Sequence, residues 1–212
     1  MIKAVIFDLD GVLTDTAVHH YQSWKAIAAK FEYDLSELDN EKLKGVSRAE
    51  SLHLIMQWAS VSLPQEEIPQ LLQEKNDHYL LLINELGKND ILPGVLDFLT
   101  LIESHNCAKA VGSSSKNAPF ILEKLGLASR FAAVIDGNCV KNTKPDPEVF
   151  LNAAHQLQVL PENCLVIEDA PSGIQAAKAA GMKVVGVGHD LAEADLCVSS
   201  LVGLGWDHIQ NL

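Results

Sequence analysis

Residues 3–12 read KAVIFDLDGV, an apolar run that ends in two aspartates and a glycine. A continuous apolar run is typical of a strand covered on both faces, and Asp8 and Asp10 follow at its end. Side chains two positions apart on an extended chain point the same way, so both carboxylates can face one site. Gly11 lets the chain turn sharply just beyond them. The stretch therefore predicts a buried strand that brings two carboxylates to a single site.

Further short apolar runs follow later in the chain, and the segments between them have helical character. These runs cover residues 109–112, 132–135, 165–167 and 183–187. Buried strands that alternate with helices indicate a parallel sheet covered by helices. We therefore predict an α/β fold with a Rossmann-like parallel sheet as its core.

A long segment between the first two strands interrupts this alternation and carries apolar residues at helical spacing, such as Leu52 and Ile55. We predict an inserted all-helical cap domain over residues 16–87, with residues 1–15 and 88–212 forming the α/β core. A helical module placed directly after the first strand would lie over the carboxyl ends of the strands, where open α/β sheets bind ligands. The insert is therefore expected to act as a lid.

The composition and net charge of the chain argue against some classes of binding partner. The chain has 212 residues, of which 48% are hydrophobic, and a formal net charge of −12. This charge argues against nucleic acid or an anionic membrane surface as the main partner, because Lys and Arg would have to dominate such a contact. No stretch approaches the roughly 20 apolar residues that a membrane helix requires, and no two cysteines have Cys-x-x-Cys spacing. We expect a soluble, cytoplasmic, monomeric protein with reduced thiols.

The ends of the later strands carry groups suited to phosphate or magnesium. Residues 113–117 (SSSKN) combine hydroxyls with a cation, Lys144 precedes a proline, and Glu168 and Asp169 are adjacent acids. Taken singly, a Ser-rich loop is often a helix cap, a lysine is often solvated, and Asp with Gly often makes a turn. Mg²⁺ takes oxygen ligands and needs only one or two protein carboxylates, which Asp8 and Asp169 can supply. The joint occurrence favours a magnesium-dependent phosphoryl-transfer site.

These motifs, in this order, resemble those of the haloacid dehalogenase superfamily of phosphotransferases. The resemblance implies that Asp8 is the nucleophile that becomes an aspartyl phosphate, and that Asp10 is the general acid and base. It also implies one Mg²⁺ per subunit, held by Asp8, the backbone carbonyl of Asp10, Glu168 and Asp169. Mg²⁺ and Lys144 would then neutralise the charge on the transferring phosphoryl group.

The helical insert carries a recognisable set of residues: Asp15-Thr16-Ala17, His19-His20, Trp24, Lys44-Gly45-Val46-Ser47-Arg48, Ser51 and Lys75-Asn76-Asp77. These residues resemble those of the sugar-phosphate mutases within this superfamily. In those enzymes β-glucose 1-phosphate and glucose 6-phosphate interconvert through enzyme-bound glucose 1,6-bisphosphate. The resemblance implies a sugar phosphate as the substrate and a set of substrate-binding residues in both domains. They are Thr16, His20, Trp24, Lys44, Gly45, Val46, Arg48, Ser51, Lys75, Ser113, Ser114, Ser115, Lys116, Asn117 and Lys144.

Side-chain chemistry suggests roles for several of these residues. Arg48 and residues 115–117 would bind the distal phosphate, because a guanidinium fork matches phosphate oxygens. His20 and Lys75 would face the sugar or the acid–base carboxylate. Each also has a simpler interpretation: His20 as a surface residue, Trp24 as a packing residue and Arg48 as an ordinary charge in a first helical turn.

Two other functions stay open on the sequence alone. A hydrolase of small sugar phosphates would use the same nucleophile and differ in taking water as the acceptor. A non-enzymatic module in which Asp8 is phosphorylated as a signal is the third hypothesis. The second carboxylate, Asp10, counts against that hypothesis because it is suited to proton transfer.

Overall fold

The computed structural model of the chain describes residues 1–43, 46–189 and 191–212. The chain forms two compact units, each with its own hydrophobic core. The α/β unit comprises Met1–Asp15 and Leu86–Leu212, and the helical unit comprises Thr16–Glu85. The two predicted residues Lys44 and Gly45 lie outside the described residues.

The α/β unit is built on one parallel sheet of six strands, which confirms the predicted fold class. The strands are β1 Ala4–Phe7, β2 Ala108–Gly112, β3 Ala133–Ile135, β4 Cys164–Glu168, β5 Lys183–Val187 and β6 Leu196–Val198. Their order across the sheet is β3-β2-β1-β4-β5-β6. The chain therefore reverses direction across the sheet between β1 and β4, and open α/β sheets bind ligands at such a point.

Strand register brings the three central strands to a common edge. Phe7 of β1 pairs with Val111 of β2 on one side and with Ile167 of β4 on the other. Because parallel strands run in the same direction, the residues that follow these three positions emerge together. The polar loops after β1, β2 and β4 therefore share one edge of the sheet.

Helices connect strands β1 to β5 of the α/β unit, and a last helix follows β6. They are α5 Val95–Ser104, α6 Ala118–Lys124, α7 Glu148–Leu157, α8 Pro171–Ala179 and α9 Trp206–Ile209, with short 3₁₀ helices at Lys88–Asp90, Ala128–Arg130 and Pro161–Asn163. Two of the central strands are buried along their whole length: all four residues of β1 and all five of β4 are inaccessible to solvent or nearly so. Continuous apolar runs suit this position because both faces of a parallel sheet are covered.

The helical unit contains four helices in its described residues. They are α1 Ala17–Ala29, α2 Glu37–Glu41, α3 Arg48–Trp58 and α4 Ile68–Ile83. Its core includes Trp24, Ile27, Leu52 and Ile55, which lie at helical spacing on α1 and α3. Within the described part of the chain, no helix has both the length and the apolar character needed to cross a membrane.

Candidate active site

Asp8 and Asp10 follow the end of β1 and lie at the carboxyl edge of the sheet. Asp8 is 7% exposed, and its backbone N–H donates to the carbonyl of Ile167 at 2.9 Å, which extends the pairing of β1 with β4. Asp10 is partly exposed. Gly11 has φ of +78°, a left-handed conformation that favours glycine. A methyl group on Gly11 would also lie 2.0 Å from Oδ2 of Asp169, so the turn can approach Asp169 only because it lacks a side chain.

Lys144 joins Asp8 and Glu168 across the site. It comes from the segment between β3 and α7, and its Nζ donates to Oδ1 of Asp8 at 2.5 Å and to Oε1 of Glu168 at 2.7 Å. The ammonium also lies 4.8 Å from the ring centre of Phe150. Lys144 is 7% exposed and Glu168 is 1% exposed, so both ion pairs are shielded from solvent. The second oxygen of Glu168 accepts from the backbone N–H of Ala170 at 2.8 Å.

The burial of these charges perturbs their protonation. Burial is the largest influence on the pKa of Asp8 and raises it; Lys144 lowers it and Glu168 raises it, with a net value of about 7. Burial followed by the charges of Asp8 and Glu168 raises the pKa of Asp169 to about 8. Burial alone would lower the pKa of Lys144, but Asp8 and Glu168 outweigh it and raise that pKa above its ordinary value. The site thus has more negative charge than Lys144 can neutralise.

This excess of carboxylate fits a divalent cation that prefers oxygen. Asp8, Asp10, Glu168 and Asp169 supply only oxygen donors, and that is the chemistry Mg²⁺ takes in proteins. In the described residues no group of three His, Cys, Asp or Glu side chains is arranged to hold a metal ion by itself. Mg²⁺ usually keeps water and substrate phosphate among its ligands and uses one or two protein carboxylates. The donor set therefore fits Mg²⁺.

The loop after β2 presents the predicted run of three serines. Ser113 is 2% exposed, and its hydroxyl accepts from the backbone N–H of Ser115 at 3.1 Å. The Ser115 hydroxyl accepts from the backbone N–H of Asn117 at 3.3 Å. Ser114 and Ser115 are partly exposed and Lys116 is exposed. The structure thus brings Ser113, Asp8, Lys144, Glu168 and Asp169 to one edge of the sheet.

A second cluster lies wholly within the helical unit, around Lys75 of α4. The Lys75 Nζ is 2.8 Å from Nδ1 of His20, 5.0 Å from the ring centre of Trp24 and 4.6 Å from that of Tyr79. His20 stacks on Tyr79 at a centroid distance of 4.1 Å, and the Tyr79 hydroxyl is 2.9 Å from the hydroxyl of Thr16. Three of the predicted substrate-binding residues, Thr16, His20 and Lys75, therefore contact Tyr79, and a fourth, Trp24, contacts Lys75.

Burial and the neighbouring cations together set the protonation of His20. Burial lowers the pKa of His20 well below its usual value near 6.5, and the cations Lys75 and Arg48 and the neighbouring His19 lower it further. The imidazole is therefore neutral at pH 7. Because the Lys75 ammonium can only donate hydrogen bonds, Nδ1 of His20 is the acceptor and its proton lies on Nε2.

Arg48 lies at the first residue of α3, directly after the N-cap Ser47. The helix dipole disfavours a cation there, so local helix stability does not account for the residue. Its guanidinium donates to Oδ1 of Asn76 at 2.7 Å. Ser51 is buried one turn along α3, and Val46 is partly exposed.

Tyr79 and Asn76 belong to this cluster but were absent from the predicted site residues. Tyr79 is fully buried, as a residue of the hydrophobic core would be. Its position four residues after Lys75 places both on one face of α4, which is the signal that could have identified it. Asn76 follows Lys75 directly and was recognisable only as part of a polar run.

The comparisons with known proteins agree with this architecture. The sequence pattern of the haloacid dehalogenase-like hydrolases matches residues 5–187, and the chain belongs to that family. It is 44% identical over 201 residues to the β-phosphoglucomutase of Bacillus subtilis, covering 93% of this chain and 89% of that protein. It is 32% identical over 193 residues to a phosphorylated carbohydrates phosphatase of Thermotoga maritima, with 90% and 87% covered.

A solved structure gives the same result. The crystal structure of a β-phosphoglucomutase from Clostridium difficile matches the chain with a TM-score of 0.95 at 44% identity, covering 100% of this chain and 96% of that one. The family predicted from the motifs is therefore confirmed, as is the inserted helical architecture of the fold.

Proposed function

We propose that the chain interconverts β-D-glucose 1-phosphate and D-glucose 6-phosphate, the reaction of a β-phosphoglucomutase. The observation that carries the proposal is the 44% identity to the Bacillus subtilis β-phosphoglucomutase over 93% of the chain. The intermediate would be β-glucose 1,6-bisphosphate, which stays bound while its two phosphates exchange places.

In this proposal Asp8 is the nucleophile. One carboxylate oxygen of Asp8 attacks the phosphorus of the bisphosphate, the bond from phosphorus to the sugar oxygen breaks, and an aspartyl phosphate forms. Asp10 gives its proton to the departing sugar oxygen and takes a proton back from the accepting hydroxyl in the reverse transfer. The Lys144 ammonium, 2.5 Å from Asp8, favours the ionised nucleophile and offsets charge on the phosphoryl oxygens.

Asp8, the backbone carbonyl of Asp10, Glu168 and Asp169 would hold Mg²⁺. When bound, Mg²⁺ supplies positive charge to the oxygens of the transferring phosphoryl group. Buried Ser113 supplies a hydroxyl beside the same group. These assignments explain why five polar side chains meet at one edge of an otherwise apolar sheet.

The remaining predicted residues are assigned to the sugar phosphate. Ser115, Lys116, Asn117 and Arg48 would bind the phosphate that is not being transferred, since charge-assisted bonds to phosphate oxygens are strong. Ser114 is assigned to the substrate-binding site beside them. The residues assigned to the sugar or to shaping its site are Thr16, His20, Trp24, Lys44, Gly45, Val46, Ser51 and Lys75. The proposed cap, residues 16–87, would make a sugar phosphate the acceptor in place of water.

A mutase and a phosphatase differ in this acceptor, and the similarity to the Thermotoga maritima phosphatase makes hydrolysis the second candidate. The assay supplies Mg²⁺, β-glucose 1-phosphate and a trace of glucose 1,6-bisphosphate, and follows glucose 6-phosphate and inorganic phosphate together. We expect glucose 6-phosphate to accumulate well ahead of inorganic phosphate. Steady release of inorganic phosphate without glucose 6-phosphate would establish the hydrolase instead.

The control variant is Asp8→Asn, which keeps the shape of the side chain and removes the nucleophile. It should abolish both products, because both reactions pass through the same aspartyl phosphate. Parallel assays with α- and β-glucose 1-phosphate test the anomer. We further propose that the protein acts as a cytoplasmic monomer without nucleic-acid or membrane partners, and size-exclusion chromatography tests the oligomeric state.

A further inference from the structure

The loop after β3 contacts the backbone of the serine-rich loop after β2. The N–H of Gly137 donates to the carbonyl of Ser115 at 3.3 Å, and Nδ2 of Asn138 donates to the carbonyl of Lys116 at 3.2 Å. Two consecutive carbonyls of the serine-rich loop are therefore held by two consecutive residues of its neighbour. Neither Gly137 nor Asn138 was among the predicted site residues.

Asp136 holds Asn138 in the orientation that this contact requires. Its Oδ1 accepts from the backbone N–H of Asn138 at 2.7 Å, and its Oδ2 accepts from Nδ2 of Asn138 at 3.2 Å. Asp136 is only 6% exposed, so its carboxylate is largely shielded from solvent. Because an amide nitrogen has two protons, Asn138 can donate to Asp136 and to Lys116 at the same time.

Gly137 allows the two loops to approach this closely. A methyl group at Gly137 would lie 2.4 Å from the carbonyl oxygen of Ser114 and 3.3 Å from the backbone N of Lys116. These are backbone atoms, which cannot rotate away as the end of a side chain can. The sequence Asp136-Gly137-Asn138 therefore forms a bracket, with its first and third residues bonded to each other and its second pressed against the neighbouring loop.

We propose that Asp136 and Asn138 are positioning residues for the distal phosphate, acting through the backbone of residues 115–117. This inference rests on the proposed function, which assigns Ser115, Lys116 and Asn117 to that phosphate. The bonds within the serine-rich loop link its backbone N–H groups to its own hydroxyls. The bracket adds a hydrogen bond from the loop after β3 to the carbonyl of Lys116, so the serine-rich loop is fixed relative to β3. A displacement of about 1 Å in a group that positions substrate can cost about a hundredfold in rate.

The test compares Asn138→Ala with the matched control Asn152→Ala. Asn152 also donates its side-chain amide to a backbone carbonyl, that of Cys139, at 3.4 Å. Cys139 follows Asn138 directly, so this bond holds the same loop but is not made to the serine-rich loop. Two quantities are measured for each variant with Mg²⁺ present: the KM for β-glucose 1-phosphate in mutase turnover, and the rate at which acetyl phosphate phosphorylates Asp8. Acetyl phosphate has no distal phosphate, so its reaction does not use the proposed contact.

We expect Asn138→Ala to raise the KM for β-glucose 1-phosphate about tenfold while the rate with acetyl phosphate stays within about twofold of wild type. Asn138→Asp should lose at least as much, because a carboxylate cannot donate to the Lys116 carbonyl and would face Asp136. Asp136→Asn, which retains an acceptor oxygen, should recover most of the affinity that Asp136→Ala loses. Asn152→Ala should match wild type in both quantities.

Two outcomes would overturn the positioning role. One is a KM for Asn138→Ala equal to that of wild type, and the other is an equal loss with the sugar phosphate and with acetyl phosphate, which would indicate general damage to the site. Wild-type turnover separates this inference from the proposed function. If the wild-type chain makes no glucose 6-phosphate, the mutase reaction itself is wrong, and the inference that depends on it falls as well.

Discussion

A methyl group on Gly173 would lie 1.6 Å from Oε1 of Glu168. Glu168 cannot move away from the methyl group without losing a hydrogen bond, because its Oε1 accepts from Lys144 and its Oε2 accepts from the backbone N–H of Ala170. Gly173→Ala should therefore break at least one buried hydrogen bond and lower the free energy of unfolding by about 1–3 kcal/mol. Urea unfolding measures this loss, and the rate of Asp8 phosphorylation should fall with it.

The control for this variant is Gly87→Ala. A methyl group at Gly87 meets no atom within 4 Å, and φ is −154°, a conformation open to any residue. We expect a change of no more than about 0.5 kcal/mol in the free energy of unfolding. Equal losses in the two variants would show that the approach to Glu168 is not the cause.

Lys144 and Lys109 are buried to the same extent, each 7% exposed, but their partners differ. Lys144 pairs with two buried carboxylates, whereas Lys109 pairs with Glu103, whose side chain is 41% exposed and also pairs with Arg130. Lys144→Met should cost about 3–5 kcal/mol because it leaves buried charge unpaired. Lys109→Met should cost about 1 kcal/mol or less. Thermal or urea unfolding of both variants measures the two losses of stability. Losses of similar size would contradict the prediction.

Removal of the Lys75 charge should raise the pKa of His20. Burial is the larger cause of the low pKa and would remain, so Lys75→Met should move the value toward 6.5 without reaching it. Lys75→Arg keeps a cation in place and should leave the pKa low. NMR titration of the imidazole C–H signals measures the pKa of His20 in the wild-type chain and in both variants. An unchanged pKa in Lys75→Met would show that Lys75 does not act on His20 electrostatically.

The same low pKa predicts how stability changes with pH. Burial opposes protonation of His20 in the folded chain most strongly, and the charges of Lys75 and Arg48 and the adjacent His19 oppose it further. The Tyr79 ring stacks on the imidazole. In the unfolded chain His20 titrates near 6.5, so below that pH the unfolded state binds one proton more. Stability from this group is therefore complete above about pH 6.5 and is lost as the pH falls, by at most about 1.4 kcal/mol per pH unit.

Comparison with His20→Gln isolates this contribution. Between pH 7 and pH 5 the wild-type chain should lose more unfolding free energy than the variant, because glutamine does not titrate. Urea unfolding at the two pH values provides both differences. The prediction is wrong if the two proteins lose the same stability over that interval.

Arg48→Ala should separate the two half-reactions of the proposed mutase. Arg48 is assigned to the distal phosphate, so mutase kcat/KM should fall about a hundredfold while phosphorylation of Asp8 by acetyl phosphate changes less than about threefold. Arg130→Ala is the control, since Arg130 pairs with Glu103 on the surface of the α/β unit. Equal losses in both reactions would remove Arg48 from the distal site.

Most strands of the α/β unit were predictable from local pattern. Strands β1 to β5 coincide with the apolar runs, because a strand buried on both faces is apolar at most of its positions. Strand β6 was not predicted: Leu196–Val198 is only three residues long, lies at the edge of the sheet and is not buried. Helix α2, Glu37–Glu41, has no buried residue and so left no apolar periodicity.

The sequence by itself determined the parallel fold and the strand ends at which carboxylates, hydroxyls and a lysine stand, because burial and chain direction leave local patterns. Only the tertiary structure decided which of these groups pair. Lys144 meets Asp8 across 136 residues and Glu168 across 24. Lys75 meets His20 across 55 residues, and Asn138 meets the backbone of Lys116. Such contacts depend on how distant segments pack, and periodicity within any one segment does not encode them.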